Sequence, residues 1–167
     1  YAVVNGKIIA QNPWEGDEDY NYKDTNWYQL AIKNKGEIVF TDAYQDVIAQ
    51  ETIITACVAL EKDGDVLAMD IYPSKLHADQ QIIQSSYANS FFYLSDSKGN
   101  LIYAVSPYEV EEEQLKEYNS MLFENIQTGS LAGYDDYYVN QQGKPVGVYY
   151  YEMDNGWIAI MTIPFQD

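Results

Sequence analysis

Two apolar stretches, ETIITACVALE at 51–61 and DVLAMDIYP at 65–73, stand almost back to back, separated by Lys62-Asp63-Gly64. Both are rich in β-branched and aliphatic residues, both are short enough for strands, and a glycine-containing turn stands between them. Pro73 closes the second, since proline cannot continue a central strand. The pair therefore predicts the centre of an antiparallel sheet, and every other segment has to be arranged around it. Cys57, the only cysteine, lies inside IITACVAL and cannot form an intrachain disulfide; it reads as a small buried hydrophobe.

Upstream, AVVNGKIIA places Asn5-Gly6 between two apolar runs, the strongest short hairpin signal. Residues 13–23 are acidic and aromatic without periodicity and predict a surface loop. Asp24 or Thr25 then caps a helix of about nine residues that Gly36 ends, with Trp27, Leu30 and Ala31 on one face. EIVFT follows as a short strand, and DAYQDVIAQ as a polar stretch. Beyond Pro73 the order starts again. SKLHADQQIIQSS predicts a linking helix with Leu76, Gln80 and Ile83 along one side, and FFYLSDSKGNLIYAV predicts a second hairpin. A helix capped at Ser106 follows, then a three-stranded meander turning at Gln142-Gly143 and Asn155-Gly156. Each half thus reads hairpin, helix, antiparallel strands. The expected fold class is α+β, with one unit at 1–73, a linker helix at 74–86 and a second unit at 87–167.

Composition removes several functions. The chain has 167 residues, 47% of them hydrophobic, enough for a real core. Its formal charge is −17, with 26 acidic residues against 9 basic ones, all lysine, so phosphate backbones are repelled and nucleic acid is not expected as a partner. No run of about 18 apolar residues appears, nor a charged-then-apolar leader. His77 is the only histidine and has no visible catalytic partner, so no catalytic residues and no enzyme activity are expected. One histidine and one cysteine exclude a zinc site. The segment DEDYNYKD opens like a calcium loop at Asp17, Asp19 and Asn21, but it has Tyr22 where glycine is required and Tyr28 where the closing glutamate belongs. No metal and no cofactor are expected.

NWYQLAI as helix start, GEIVFTDAYQD as the following strand, ITACVALEKDGDVLAMDI as paired strands and the segment after IYPSKL together resemble the membrane-distal lobe of a double Cache domain. This is the PAS-like extracytoplasmic sensor of bacterial histidine kinases, diguanylate cyclases and chemoreceptors. FYLSDSKGNLIYAV, with its D-x-x-G-x-x-I hairpin, is similar to the start of the membrane-proximal lobe. The family's long N-terminal helix and flanking transmembrane segments are not in the sequence, so a trimmed ectodomain is expected, one that meets the membrane only through those segments. A homodimer in the full receptor is the expected assembly.

The resemblance also implies a pocket in the distal lobe. In amino-acid-binding members a Tyr, an Arg, a Trp-Tyr pair, a later Tyr and an Asp form the site; here Tyr20, Trp27, Tyr28, Tyr44 and Asp70 stand at those positions, and the arginine position is Thr25. Arginine would grip a ligand carboxylate bidentately, and its absence turns the expectation toward a ligand recognised through an amine. Aromatic walls attract an ammonium by about 0.5–2 kcal/mol per contact. Asp42 and Asp46 flank Tyr44 and either enlarge the negative field or cap the loop. Trp27 serves equally as core packing or as pocket wall. The second half, around Tyr134 to Tyr151, lacks such a constellation and is expected to be filled by its own side chains and to transmit. The competing reading is a secreted carbohydrate- or surface-binding module using aromatics such as Trp14 and Trp157.

Overall fold

The computed structural model describes residues 1–11, 13, 19–76, 87–132 and 138–165. The chain divides into two compact units, Tyr1–Pro73 and Ser74–Asp167. The segment expected as a linking helix lies outside the described residues from 77 to 86; its first residues, Ser74 and Lys75, belong to a 3-10 turn at Pro73–Lys75.

The first unit holds strands β1 (Ala2–Val4), β2 (Lys7–Ile9), β3 (Val39–Phe40), β4 (Tyr44–Gln45), β5 (Thr52–Ala59) and β6 (Val66–Ile71), with helix α1 at Asn26–Lys33. The sheet order is β2-β1-β6-β5-β3, with β4 pairing the other end of β5, and every pair is antiparallel. Asn5 and Gly6 both take positive φ, 54° and 73°, the backbone a two-residue hairpin demands. The backbone N–H of Asn5 donates to the buried Asp65 carboxylate at 2.8 Å, tying this turn to the start of β6. The polar stretch after β3 contributes β4, which sequence pattern alone does not show because the strand is only two residues long.

Helix α1 begins where expected: the Thr25 hydroxyl accepts from Tyr28 N at 3.4 Å and donates to Tyr22 O at 2.6 Å. The helix ends at Lys33, with the Asn34 side chain donating to Leu30 O at 2.8 Å. Its buried positions, Trp27 and Ala31, lie one turn apart and pack against Val3, Cys57, Ala59, Val66 and Ala68 of the sheet. Burial pushes the Cys57 thiol up to about 11, so it stays protonated and inert at neutral pH.

The second unit has strands β7 (Phe91–Ser95), β8 (Leu101–Val105), β9 (Tyr138–Val139), β10 (Pro145–Glu152) and β11 (Ile158–Pro164), and helix α2 at Glu112–Gln127. Its order, β8-β7-β11-β10-β9, matches that of the first unit, with the last strand returning beside the first. The fold is α+β, two PAS-like antiparallel sheets with flanking helices, in agreement with the expectation. Helix α2 starts at Glu112, later than a cap at Ser106 would give. The Ser106 hydroxyl instead bonds the backbone of Tyr108 within a local turn. Trp157 is only 7% exposed, and this burial removes it as a surface platform for carbohydrate; Trp14 lies outside the described residues.

The core of this unit gathers Phe91, Tyr93, Leu122, Ile126, Ile158 and Ile160. Gln141 Nε2 donates to Tyr93 Oη at 2.9 Å, whereas the buried Tyr118 hydroxyl has no hydrogen-bond partner among the described residues. The two phenols therefore respond oppositely to loss of oxygen. Tyr118→Phe is expected to raise stability by about 1 kcal/mol, because it removes an unpaired buried group, and Tyr93→Phe to lower it by about 1–3 kcal/mol, because it strands the amide. Urea unfolding of both variants checks the sign difference.

Candidate functional site

Alternation along β6 sets up the site. Val66, Ala68 and Asp70 share one strand face by the two-residue period. Val66 and Ala68 are buried in the core, while Asp70, further along the same face, lines a cavity of about 360 Å³. Around the cavity stand the rings of Tyr1, Tyr20, Tyr44 and Tyr72, the carboxylates of Asp46 and Asp70, and an apolar wall from Ala68, Met69 and Val47–Ala49. No lysine is among the described lining residues.

Asp70 is held rigidly. Its Oδ1 accepts from Tyr1 Oη at 2.8 Å and from Thr55 Oγ1 at 2.8 Å, Thr55 being its register partner on β5. Tyr44 Oη lies 2.6 Å from Thr55 Oγ1, and because the threonine proton is committed to Asp70, the phenol is the donor. Thr55 itself is fully buried, and its N–H donates to Thr41 Oγ1 at 2.9 Å. Oδ2 of Asp70 accepts no hydrogen bond from the described residues. Burial pushes the Tyr1 phenol well above its ordinary range, reinforced by Tyr44 and by the Asp70 charge, and burial raises Tyr44 too. Tyr72 is raised by burial and by the negative charges of Asp70, Asp46 and Glu51. These three phenols therefore stay neutral donors at physiological pH. Asp46 sits at the start of the β4–β5 turn, where Oδ2 accepts from Ala49 N at 2.5 Å.

Of the eight residues named from sequence, Tyr20, Tyr44, Asp46 and Asp70 line this cavity, and Thr25, Trp27, Tyr28 and Asp42 do not. The reasons are local. Thr25 is occupied as the cap of α1, and Trp27, 2% exposed, packs in the core with its ring 4.9 Å from that of Tyr1. Trp27 thus braces a lining residue from behind. Tyr28 turns the other way and donates to Gly64 O at 3.1 Å. Asp42 is half-buried beside Thr41, outside the lining. Sequence reasoning missed Tyr1 and Tyr72. Tyr72 carries a signal, two residues after Asp70 on the same period; Tyr1 carries none, because only the β1–β6 pairing brings it to Asp70.

In the second unit a cavity of about 340 Å³ is lined by Gln114, Glu117, Tyr118, Met121 and Gln141. The expectation that this unit is filled by its own side chains does not describe it fully. Gln114 and Glu117 are exposed on α2, and the lining contributed by the described residues contains one carboxylate and one aromatic ring.

Residues 4–78, which include nearly all of the first unit, match the family model described as methyl-accepting chemotaxis protein-like, first PDC sensor domain. The ligand-binding domain of the Campylobacter jejuni chemoreceptor Tlp3, solved with 4-methylisoleucine, superposes with a TM-score of 0.52 at 22% identity, covering 88% of this chain and 55% of that one. The first unit is thus similar to a first PDC sensor domain, and the chain shares its fold with chemoreceptor ligand-binding domains. A second ligand-binding domain, from the Pseudomonas fluorescens chemoreceptor CtaA with L-serine, gives a TM-score of 0.52 at 16% identity over 85% of this chain and 61% of that one. At these identities the structural likeness is one of fold. In sequence, the chain is 32% identical over 87 residues to the methyl-accepting chemotaxis protein McpC of Bacillus subtilis (strain 168), which is 51% of this chain and 13% of McpC. The chain therefore aligns with only a small part of that relative's length.

Proposed function

We propose that this chain is a double Cache sensor domain of the chemoreceptor type, which binds a small amine through its first unit and forms the extracytoplasmic, non-enzymatic sensing part of a transmembrane receptor. The first unit, 1–73, takes the membrane-distal, ligand-binding role, and residues from 87 onward form the membrane-proximal transmitter. The observation that carries this reading is Asp70: a carboxylate with one oxygen fixed by two hydroxyls and the other open, among tyrosine rings. A carboxylate adds a charge-assisted hydrogen bond to an ammonium, and the rings add cation–π attraction. The solved relatives are complexes with amino acids such as 4-methylisoleucine and L-serine, whose ammonium such a site suits. Their carboxylate finds no counterpart here, since the chain has no arginine and the cavity no lysine. The ligand is therefore an amine without an obligatory α-carboxylate.

Thermal shift against amines, amino acids, organic acids and purines tests this. An amine at 100 times its dissociation constant is expected to add about 2.7 kcal/mol of stability, and acetate or a dicarboxylate to add nothing. Stabilisation by a plain dicarboxylate with no response to amines sinks the proposal.

A further inference from the structure

The cavity holds a second carboxylate that one ammonium leaves unanswered. Asp70 projects from β6 and Asp46 from the turn after β4, so these two lining carboxylates come from separate elements, and no cationic side chain is among the described lining residues. Each has one oxygen already engaged, Asp70 Oδ1 by Tyr1 and Thr55, and Asp46 Oδ2 by Ala49 N. Each keeps one oxygen without a hydrogen bond from the described residues. Both charges act on the phenol of Tyr72, which places it in the field of the two carboxylates. Ala68, Met69 and Ala49 supply apolar wall in the same lining. Two anionic poles with apolar surface in the lining suit a short methylene chain carrying a cation at each end.

We infer that the site selects unbranched diamines over monoamines, with Asp70 holding one ammonium and Asp46 the other. The inference rests on the amine reading and goes beyond it by assigning a second pole. Pairing the second ammonium adds one hydrogen bond between charged groups, which corresponds to about tenfold or more in affinity. A monoamine of equal length leaves Asp46 solvated or unpaired and forgoes that gain.

Calorimetric titration of the whole domain with 1,3-diaminopropane, 1,4-diaminobutane, 1,5-diaminopentane and n-butylamine is the test, repeated on Asp46→Asn. Asparagine can still accept from Ala49 N, so the turn is kept while the charge is lost. At least one diamine is expected to bind about tenfold or more tightly than n-butylamine, and Asp46→Asn to bring the two within about twofold of each other. Equal binding of diamines and n-butylamine overturns the inference and leaves the amine reading standing. So does an Asp46→Asn variant that retains the diamine preference, or one that weakens both classes equally. Failure of every amine to bind overturns both. Calcium and magnesium chloride are titrated alongside: heat from either ion that Asp46→Asn abolishes, with no diamine preference, assigns the two carboxylates to a metal and rejects the diamine.

Discussion

Asp70→Asn is expected to abolish stabilisation by amines while leaving the domain folded. Asparagine keeps an Oδ1 acceptor in place for the Tyr1 and Thr55 hydroxyls, so the network through Tyr44 survives, but it carries no charge for an ammonium. Asp70→Ala is a different experiment. Truncation leaves the Tyr1 and Thr55 hydroxyls without their acceptor and is expected to cost about 1–3 kcal/mol in addition to binding. The pair of variants separates recognition from architecture. Thermal unfolding with and without an amine, with circular dichroism to verify folding, reads both effects. An Asp70→Asn protein that still responds to amines as the parent does removes Asp70 from recognition and transfers the role to Asp46.

What the sequence disclosed depended on how local the physics is. Turn chemistry was legible: Asn5-Gly6, Lys62-Asp63-Gly64, Gln142-Gly143 and Asn155-Gly156 each mark a real reversal, because positive φ at the glycine is a property of a few neighbouring residues. The Thr25 cap was legible for the same reason. The α1 face was legible in part. Trp27 and Ala31 share it, but whether that face meets a core or a cavity depends on the sheet beneath. The site was half legible. Asp70 interrupts an apolar strand and so announces itself, whereas Tyr1 reaches it across 69 positions of sequence, through a strand pairing that no local pattern encodes. Ser106 misled because Ser-x-x-Glu resembles a helix start wherever it occurs. Here Pro107 follows and the hydroxyl closes a tight turn on Tyr108, and the helix waits for Glu112.

Gly99→Ala is expected to be among the most damaging single substitutions in the second unit, although it adds only a methyl group. Gly99 lies at φ +86° in the turn between β7 and β8, where a side chain costs about 1–2 kcal/mol by backbone sterics alone. A Cβ there falls 2.6 Å from Cδ1 and 2.9 Å from Cγ of Phe123 on α2. Cγ is fixed close to the helix backbone and cannot swing clear as the far end of a flexible chain does, so the ring or the turn must move. Crowding of this kind costs about 1–3 kcal/mol more. The turn cannot yield freely. The side chain of the fully buried Asn119 donates to Gly99 O at 3.0 Å and accepts from Ser95 Oγ at 2.6 Å, clamping the hairpin to the helix. Asp96, also fully buried, accepts from Lys98 N and Asn100 N at 2.9 Å each, fixing the loop from within. The combined loss is about 2–5 kcal/mol, measured by urea unfolding of the whole domain. Phe123→Leu in the same chain separates the two contributions. If the contact with the ring matters, the double variant recovers stability relative to Gly99→Ala, even though Phe123→Leu alone is destabilising. If the losses simply add, the clash is absent and only the backbone angle requires glycine at this position.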